Sequence, residues 1–442
     1  MKNRKRKLIK RMLIIGLSLA GVFMAAVLAY MQHPKFGRLP RGERLARIQK
    51  SPHYKDGRFQ NTVPTPGLAE DADTFALYKE FFFGDKSKRT PPAPLPSVKS
   101  DLRSLDAGKD ALVWFGHSSY FLQIGGKRML VDPVFSGAAS PVSFTTRAFA
   151  GSDSHAADDM PGIDYLFITH DHWDHLDYET VGKLKPKVGK IICGLGVGEH
   201  LEYWGFDRSR IIELDWGEKC LPDDGVTVHC FTARHFSGRA FSRDRSLWAS
   251  FLVTVRNPAG SPEKGDSPNE KTLPAPSATS ETGRHGDQLS QTHGDHPAHS
   301  HGDQPSQGQN AGERRGYTFY IGGDSGYGAH FAGIGEKSGA IDLAILENGQ
   351  YDRNWKYIHM MPEEVLRAAD DLKARRLLPV HSAKFSISYH AWDDPLRRLS
   401  EAHRAAGSKI ILLTPRIGEV VDLHDESREF PRWWESVGTE SP

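Results

Sequence analysis

The sequence predicts an α/β domain of layered sheets and helices, preceded by one membrane-length apolar helix. Three observations carry this. Short runs rich in Val, Ile, Leu and aromatic residues recur between residues 111 and 380, at strand length. Amphipathic stretches with helix-end signals lie between some of them. A polar cluster, Thr169–His175 (THDHWDH), comes directly after the apolar run Tyr165–Ile168, where a loop leaving a strand carries function.

The first element is the N-terminal tip. The 442 residues suffice for one large domain with extras, or for two. The net charge of +2 hides an asymmetry, because residues 1–11 (MKNRKRKLIKR) hold seven of the 57 Lys/Arg and no acid. The remaining 50 face 55 Asp/Glu, a balance of −5. A general nucleic-acid binder would need its basic residues on the folded domain, so that class is excluded. Residues 12–31 (MLIIGLSLAGVFMAAVLAYM) carry no charge. At helical rise they span roughly 30 Å, one hydrocarbon core. The positive-inside rule keeps the tip cytoplasmic. A single-pass membrane protein is expected, with everything after Met31 on the non-cytoplasmic (periplasmic or extracellular) side. The competing reading is a cleaved signal peptide, with Val27 and Ala29 as the small residues before the cut. The apolar run exceeds the usual ~7–15 residues of such a peptide and favours an anchor. Cys193, Cys220 and Cys230 are odd in number and form no CxxC, so no disulfide framework is indicated.

Residues 32–100 read as a juxtamembrane segment. It contains an aromatic knot, Tyr78–Lys86 (YKEFFFGDK), and an extended proline-rich linker, Arg89–Ser100. The knot's Phe81–Phe83 could touch the membrane or wall an acyl groove; packing against the domain is the expectation. The main domain covers residues 101–430. Ala111–Phe135 gives three strands with a turn at Gly125-Gly126. Further strands are expected at Tyr165–Ile168, Lys190–Cys193, Ile211–Leu214, Val226–Thr232, Leu247–Val255, Tyr317–Ile321, Leu343–Leu346 and Leu377–Val380. Met361–Arg376 reads as a helix, with Pro362 at its first position, Glu363 and Glu364 at the positive end and Arg375 and Arg376 at the negative end. A second helix runs from Pro395 to Gly407. Residues 257–316 lack large apolar side chains and include the near-repeat His285–Gln307. They read as a disordered insertion whose His285, His293, His296, His299 and His301 could bind metal weakly.

The spacing H-x-H-x-D-H places four donors on one tight loop. Crowded imidazoles and carboxylates are unfavourable without a cation. His170 and His172 can face one ion, and Asp174 and His175 its neighbour. The set is completed from the ends of later apolar runs. His235 joins His170 and His172, His381 joins Asp174 and His175, and Asp324 bridges. This donor set suits two Zn²⁺, with Fe or Mn as alternatives.

Further motifs extend the pattern: Ser51–Asn61 (SPHYKDGRFQN), Asp132–Pro141 (DPVFSGAASP), Ile211–Glu218 (IIELDWGE), Arg234–Arg239 (RHFSGR), Ser246–Phe251 (SLWASF), Ile321–Tyr327 (IGGDSGY) and His359–Val365 (HMMPEEV). With the THDHWDH loop, the sequence resembles the metallo-β-lactamase superfamily, and within it the branch of N-acyl-phosphatidylethanolamine phospholipase D and its bacterial relatives. The resemblance runs over roughly residues 34–425. It implies a metallo-β-lactamase αβ/βα sandwich with the metals at one edge, and the seven ligands above match the family's metal positions.

The resemblance also implies that His359 reaches the substrate phosphate or leaving group. Asp132 and His117 are expected to support the ligands from behind. Trp173 and Tyr327 could line the cleft, though aromatics are more often core. The implied reaction is phosphodiester hydrolysis by a metal-bound hydroxide, with Asp324 bridging the ions and Asp174 orienting the hydroxide and taking its proton. The expected substrate is a membrane phospholipid, turned over beside the bilayer, and a homodimer is left open. A lactonase or other ester hydrolase on the same metals is the alternative. A non-catalytic exported metal-binding protein is the remote one.

Overall fold

The structure is a computed structural model and describes residues 2–256 and 316–439. But for Gly316, the His-rich segment lies outside the described residues.

Two seven-stranded sheets face each other. The first runs, in spatial order, Val420–Asp422, Ala111–Trp114, Tyr120–Ile124, Lys127–Val131, Ile163–Ile168, Val188–Gly194 and Ile211–Leu214. The second runs Ile411–Leu412, Arg376–Val380, Leu343–Glu347, Tyr317–Ile321, Ser250–Val255, Val226–Phe231 and Lys219–Asp223. Each sheet is antiparallel in one part and parallel in the other. Strands covered on both faces read as continuous apolar runs, which is how most were legible.

The period-two alternation sorts the side chains. Phe167 points between the sheets and meets Phe251, ring centroids 5.7 Å apart, in a core shared with Trp114, Phe319 and Leu378. Its neighbours Leu166 and Ile168 face outward, against Val181, Leu184 and Leu201 of the helices Tyr178–Leu184 and Gly198–Tyr203. On the far side Tyr320, Ala344 and Leu377 pack with Phe331, Val365, Ala369 and Leu399 of three further helices. Helices therefore cover both outer faces of the sandwich, as the αβ/βα architecture requires. Truncating a core aromatic such as Phe167 to Ala is expected to destabilise by about 3–5 kcal/mol.

Helix ends differ from expectation where local chemistry intervenes. The helix predicted over Met361–Arg376 spans Pro362–Asp371, opened by the Glu364 carboxylate accepting the Met361 N–H at 3.0 Å. Lys373 takes φ 55°, a left-handed stop, and Arg376 opens the next strand as a buried residue. The second helix spans Asp394–Ala405, close to its predicted bounds. The edge strands Lys219–Asp223, Ile411–Leu412 and Val420–Asp422 were not predicted from sequence because they are short or only half-buried.

The N-terminal helix Lys2–Tyr30 exposes its apolar side chains and is long enough to cross a membrane. The segment between this helix and the first sheet is part of the domain, which corrects the linker expectation. Leu95 is buried in the inter-sheet core and its N–H reaches the Ala150 carbonyl at 2.8 Å. Ser97 bridges to Ile417. Upstream, the buried Arg44 guanidinium pairs with Glu199 (2.6 Å), Glu202 (3.0 Å) and Glu213 (2.6 Å). Tyr78–Phe83 of the aromatic knot belong to the helix Thr74–Phe83, on which Phe75, Tyr78, Phe82 and Phe83 are exposed; the Phe81 side chain lies outside the described residues. All three cysteines are free thiols.

Candidate metal centre

The centre forms where strand ends of the two sheets meet. His170–His175 follow Ile168, His235 follows Phe231, Asp324 follows Ile321 and His381 follows Val380. The structure brings all seven predicted ligands together, in two groups. His170, His172, His235 and Asp324 offer donor atoms within 4.8 Å of one another. His117, Asp174, His175 and His381 do the same.

In the first group the His172 Nδ1 lies 2.8 Å from His170 Nε2 and 3.3 Å from His235 Nε2. The other nitrogens fix the tautomers. Thr169 Oγ1 donates to Asp132 and so accepts from His170 Nδ1 at 3.1 Å, while His235 Nδ1 donates to the Ile358 carbonyl at 2.9 Å. The Nε2 lone pairs of His170 and His235 are thereby aimed at one region. In the second group His175 Nε2 sits 3.5 Å from Asp174 Oδ2 and 3.2 Å from Asp324 Oδ2. His381 Nδ1 is 3.3 Å from Asp324 Oδ1, so the Asp324 carboxylate faces both groups. His175 Nε2 and Asp324 Oδ1 are buried without a hydrogen-bond partner. Orphaned polar atoms of this kind, beside converging lone pairs, fit divalent cations.

A beta-lactamase superfamily domain matches residues 127–260 and 277–382, more than half of the chain. The chain belongs to the metallo-β-lactamase superfamily. The resemblance read from its motifs is borne out, and membership makes it a metal-dependent hydrolase. It is 33% identical to an uncharacterized protein of Mycobacterium tuberculosis over 87% of this chain and 88% of that one. It is 38% identical to the outer membrane protein RomA of Klebsiella pneumoniae over 36% of this chain and 77% of that one. N-acyl-phosphatidylethanolamine-hydrolyzing phospholipase D 1 of Caenorhabditis elegans is 24% identical, over 77% and 83%.

Behind the superfamily's ligand loop stands Asp132. Its carboxylate takes the Thr169 N–H (2.9 Å), the Thr169 hydroxyl (2.6 Å) and His175 Nδ1 (2.8 Å). It therefore fixes both the start of the loop and the orientation of His175. His117 Nε2 lies 2.9 Å from Asp174 Oδ2, and its backbone exchanges hydrogen bonds with His381 and Ser382. Asp132 (φ 41°), His117 (φ 51°) and His381 (φ 69°) all adopt left-handed backbone, a strain of about 1–3 kcal/mol each that clusters here. At Gly323 (φ 60°) a Cβ would sit 3.0 Å from both the Ala249 carbonyl and Thr169 Cβ, a crowding that favours glycine in the turn that delivers Asp324.

Three supporting residues were missed. Asp171, the unassigned acid of THDHWDH, binds the Gly238 N–H (2.7 Å), the Ser246 hydroxyl (2.7 Å) and His200 (3.1 Å). Asn61 clamps the backbone of His235, donating to its carbonyl at 2.7 Å and accepting its N–H at 3.2 Å. Glu347, fully buried, meets His359 Nδ1 at 2.5 Å and accepts the Met360 N–H at 2.7 Å. The position of Glu347 at the end of an apolar run was the available signal, of the same kind that found Asp324. His359 stacks near His381, ring centroids 5.3 Å apart, with its Nδ1 held by Glu347. Trp173 packs under the Arg239 guanidinium, and the Tyr327 hydroxyl bonds Asp371, so both serve packing contacts. A cleft of about 420 Å³ opens beside His235, lined by Arg58, Asn61, Phe236 and Arg243 among others.

Burial dominates the electrostatics of the centre's side chains. It holds His170, His235 and His381 well below the usual histidine range and His172 at about 4. Burial also acts to lower His175, but Asp324, Asp174 and Asp132 outweigh it and raise that imidazole well above its ordinary value. Burial lifts Asp324 to about 6. The same force raises the Glu347 carboxyl and lowers His359, so the pair shares one proton between two groups disfavoured as ions.

Proposed function

We propose that this hydrolase is a membrane-anchored phosphodiesterase of phospholipase D type acting on N-acyl-phosphatidylethanolamine-like lipids. The observation that carries the reading is a pair of ligand groups that the Asp324 carboxylate faces together, with His359 beside them. His170, His172 and His235 would hold one ion, Asp174, His175 and His381 the other, with Asp324 common to both. Zinc suits this nitrogen-rich set, ahead of iron or manganese. Bound there, two such ions make water nucleophilic at neutral pH and neutralise charge on phosphoryl oxygens. The chain's own groups do the rest. Asp174 orients the attacking water and accepts its proton. His359, its Nδ1 fixed by Glu347, presents Nε2 to the leaving alcohol. Arg58 and Arg243 in the cleft offer positive charge to an anionic diester.

The lipid substrate is supported by the apolar N-terminal helix, whose basic tip favours a catalytic domain on the non-cytoplasmic side. It is supported also by the similarity to the nematode phospholipase D and to RomA. The test is a panel of N-acyl-phosphatidylethanolamine and lactones on the full chain loaded with zinc, iron or manganese. Lipid turnover that disappears in His235→Ala supports the proposal. Turnover of lactones alone sinks it in favour of the lactonase reading. Loss of all function on deleting residues 257–316 would point instead to a metal-binding protein without catalysis.

A further inference from the structure

The helix Thr74–Phe83 carries an exposed aromatic face. Phe75, Tyr78, Phe82 and Phe83 fall at i, i+3, i+7 and i+8, one face of a helix. That face points outward, Phe75 78% and Phe83 84% exposed. The other side holds Leu77 and Glu80, both half-buried. Glu80 pairs with Arg89, whose guanidinium lies 4.7 Å from the Tyr389 ring centroid, and the Tyr389 hydroxyl donates to the Leu77 carbonyl at 3.4 Å. Exposed aromatics gathered on one face mark a contact surface.

Contacts trace that surface back to the apolar N-terminal helix. The last residue of that helix, Tyr30, donates its hydroxyl to the Pro141 carbonyl at 2.5 Å, and Lys35 reaches the same carbonyl at 3.0 Å. Three residues on, Phe144 is 78% exposed. Ala139, just before, packs on Phe385. The segment from Phe385 continues through exposed Ile387 to Tyr389, which touches the aromatic helix. The same segment begins at His381, so this apolar border adjoins the metal centre.

We propose that the helix Thr74–Phe83 and the loop bearing Phe144 form one bilayer-contacting rim that seats the mouth of the metal centre on the lipid surface. This rests on the membrane-anchored reading above. Aromatic side chains partition to the headgroup level, and an interfacial helix lies with its apolar face about 5–10 Å into that boundary. The rim would present a lipid's polar part to the centre without lifting the lipid from the membrane.

The experiment uses the full chain in phosphatidylethanolamine–phosphatidylglycerol vesicles, in a Cys220→Ser background because Cys193 and Cys230 are buried. Nitroxide labels are placed through Phe83→Cys, Phe144→Cys, Val22→Cys in the apolar helix and Leu221→Cys on an exposed edge strand. The expected result is that labels 83, 144 and 22 are more accessible to oxygen than to a nickel chelate, with the reverse at 221. Label 22 in lipid and label 83 in water would overturn the rim and leave the anchor standing, assigning the aromatic face to a protein partner instead. Labels 22 and 83 both in water would overturn the anchor and the rim together.

Discussion

The two sheets build their shares of the metal centre differently. The first delivers His170, His172, Asp174 and His175 from one loop, whose start is fixed by Asp132 and whose middle is pinned by Asp171. The second delivers His235, Asp324 and His381 from three separate strand ends. Each of these has its own clamp. Asn61 holds His235, the turn at Gly323 delivers Asp324, and the His117 backbone holds His381 through a 2.9 Å hydrogen bond. Both shares are held by tertiary contacts, but the first has donors adjacent in the chain under common clamps and the second has distant donors with one clamp each. Damage to a clamp in the second share should therefore fall on single ligands, whereas damage behind the loop should be felt across it.

The largest effect is expected at the second sheet's Glu347. Glu347→Gln should lower hydrolysis of a diester with an alkyl leaving group by roughly a hundredfold, the scale of general acid–base assistance. A diester that releases p-nitrophenol needs no such help and should be nearly unaffected, with metal content unchanged. Equal losses on both substrates would show that Glu347 only maintains the fold. Next comes the comparison of Asp132→Asn with Asn61→Ala. Removing the carboxylate behind the loop should weaken metal affinity by about 10–100-fold, as loss of an outer partner does. Asn61→Ala should stay near about tenfold and act on the ion at His235 alone. If titration with a chelator shows both variants weakening both ions alike, the two shares are not independently organised.

The smallest effect is in protons. His175 has its pKa raised, so at pH 7 the metal-free protein carries a proton on it that a metal must displace. The imidazoles of His170, His172, His235 and His381 are lowered and contribute none. Calorimetry in buffers of different ionisation enthalpy should find at least one proton released on loading at pH 7, that of His175, with further release coming from metal-bound water. Affinity should then fall as pH drops through about 6, where Asp324 takes up its proton. Loading without proton release would place His175 outside the metal centre.

This contrast also explains what the sequence made legible. THDHWDH was readable because its donors are adjacent, and their crowding admits one physical reason. His235, Asp324 and His381 were readable because each closes an apolar strand run, and the family motifs fixed their order. Asn61 carries no such sign, and Glu347, which also closes an apolar run, lies in none of the motifs. Asn61 acts on His235 from 174 residues away in the chain. Glu347 belongs to a strand whose other residues are apolar, and only the fold shows that its carboxylate meets His359. In the fold at large, buried strands announced themselves by composition, while three of the four edge strands of the two large sheets and the proline-rich segment did not. Proline marks extended backbone, but whether an extended segment is free or docked depends on what lies beside it, as Leu95 beneath the inter-sheet core shows.

One two-ion centre assembled from two unlike halves has a countable consequence. Metal analysis of the full chain after loading and dialysis should find two ions per chain, one ion in His172→Ala, and one ion in His381→Ala, lost from the opposite position. A wild-type chain that holds a single ion, or variants that leave the count at two, would contradict such a centre.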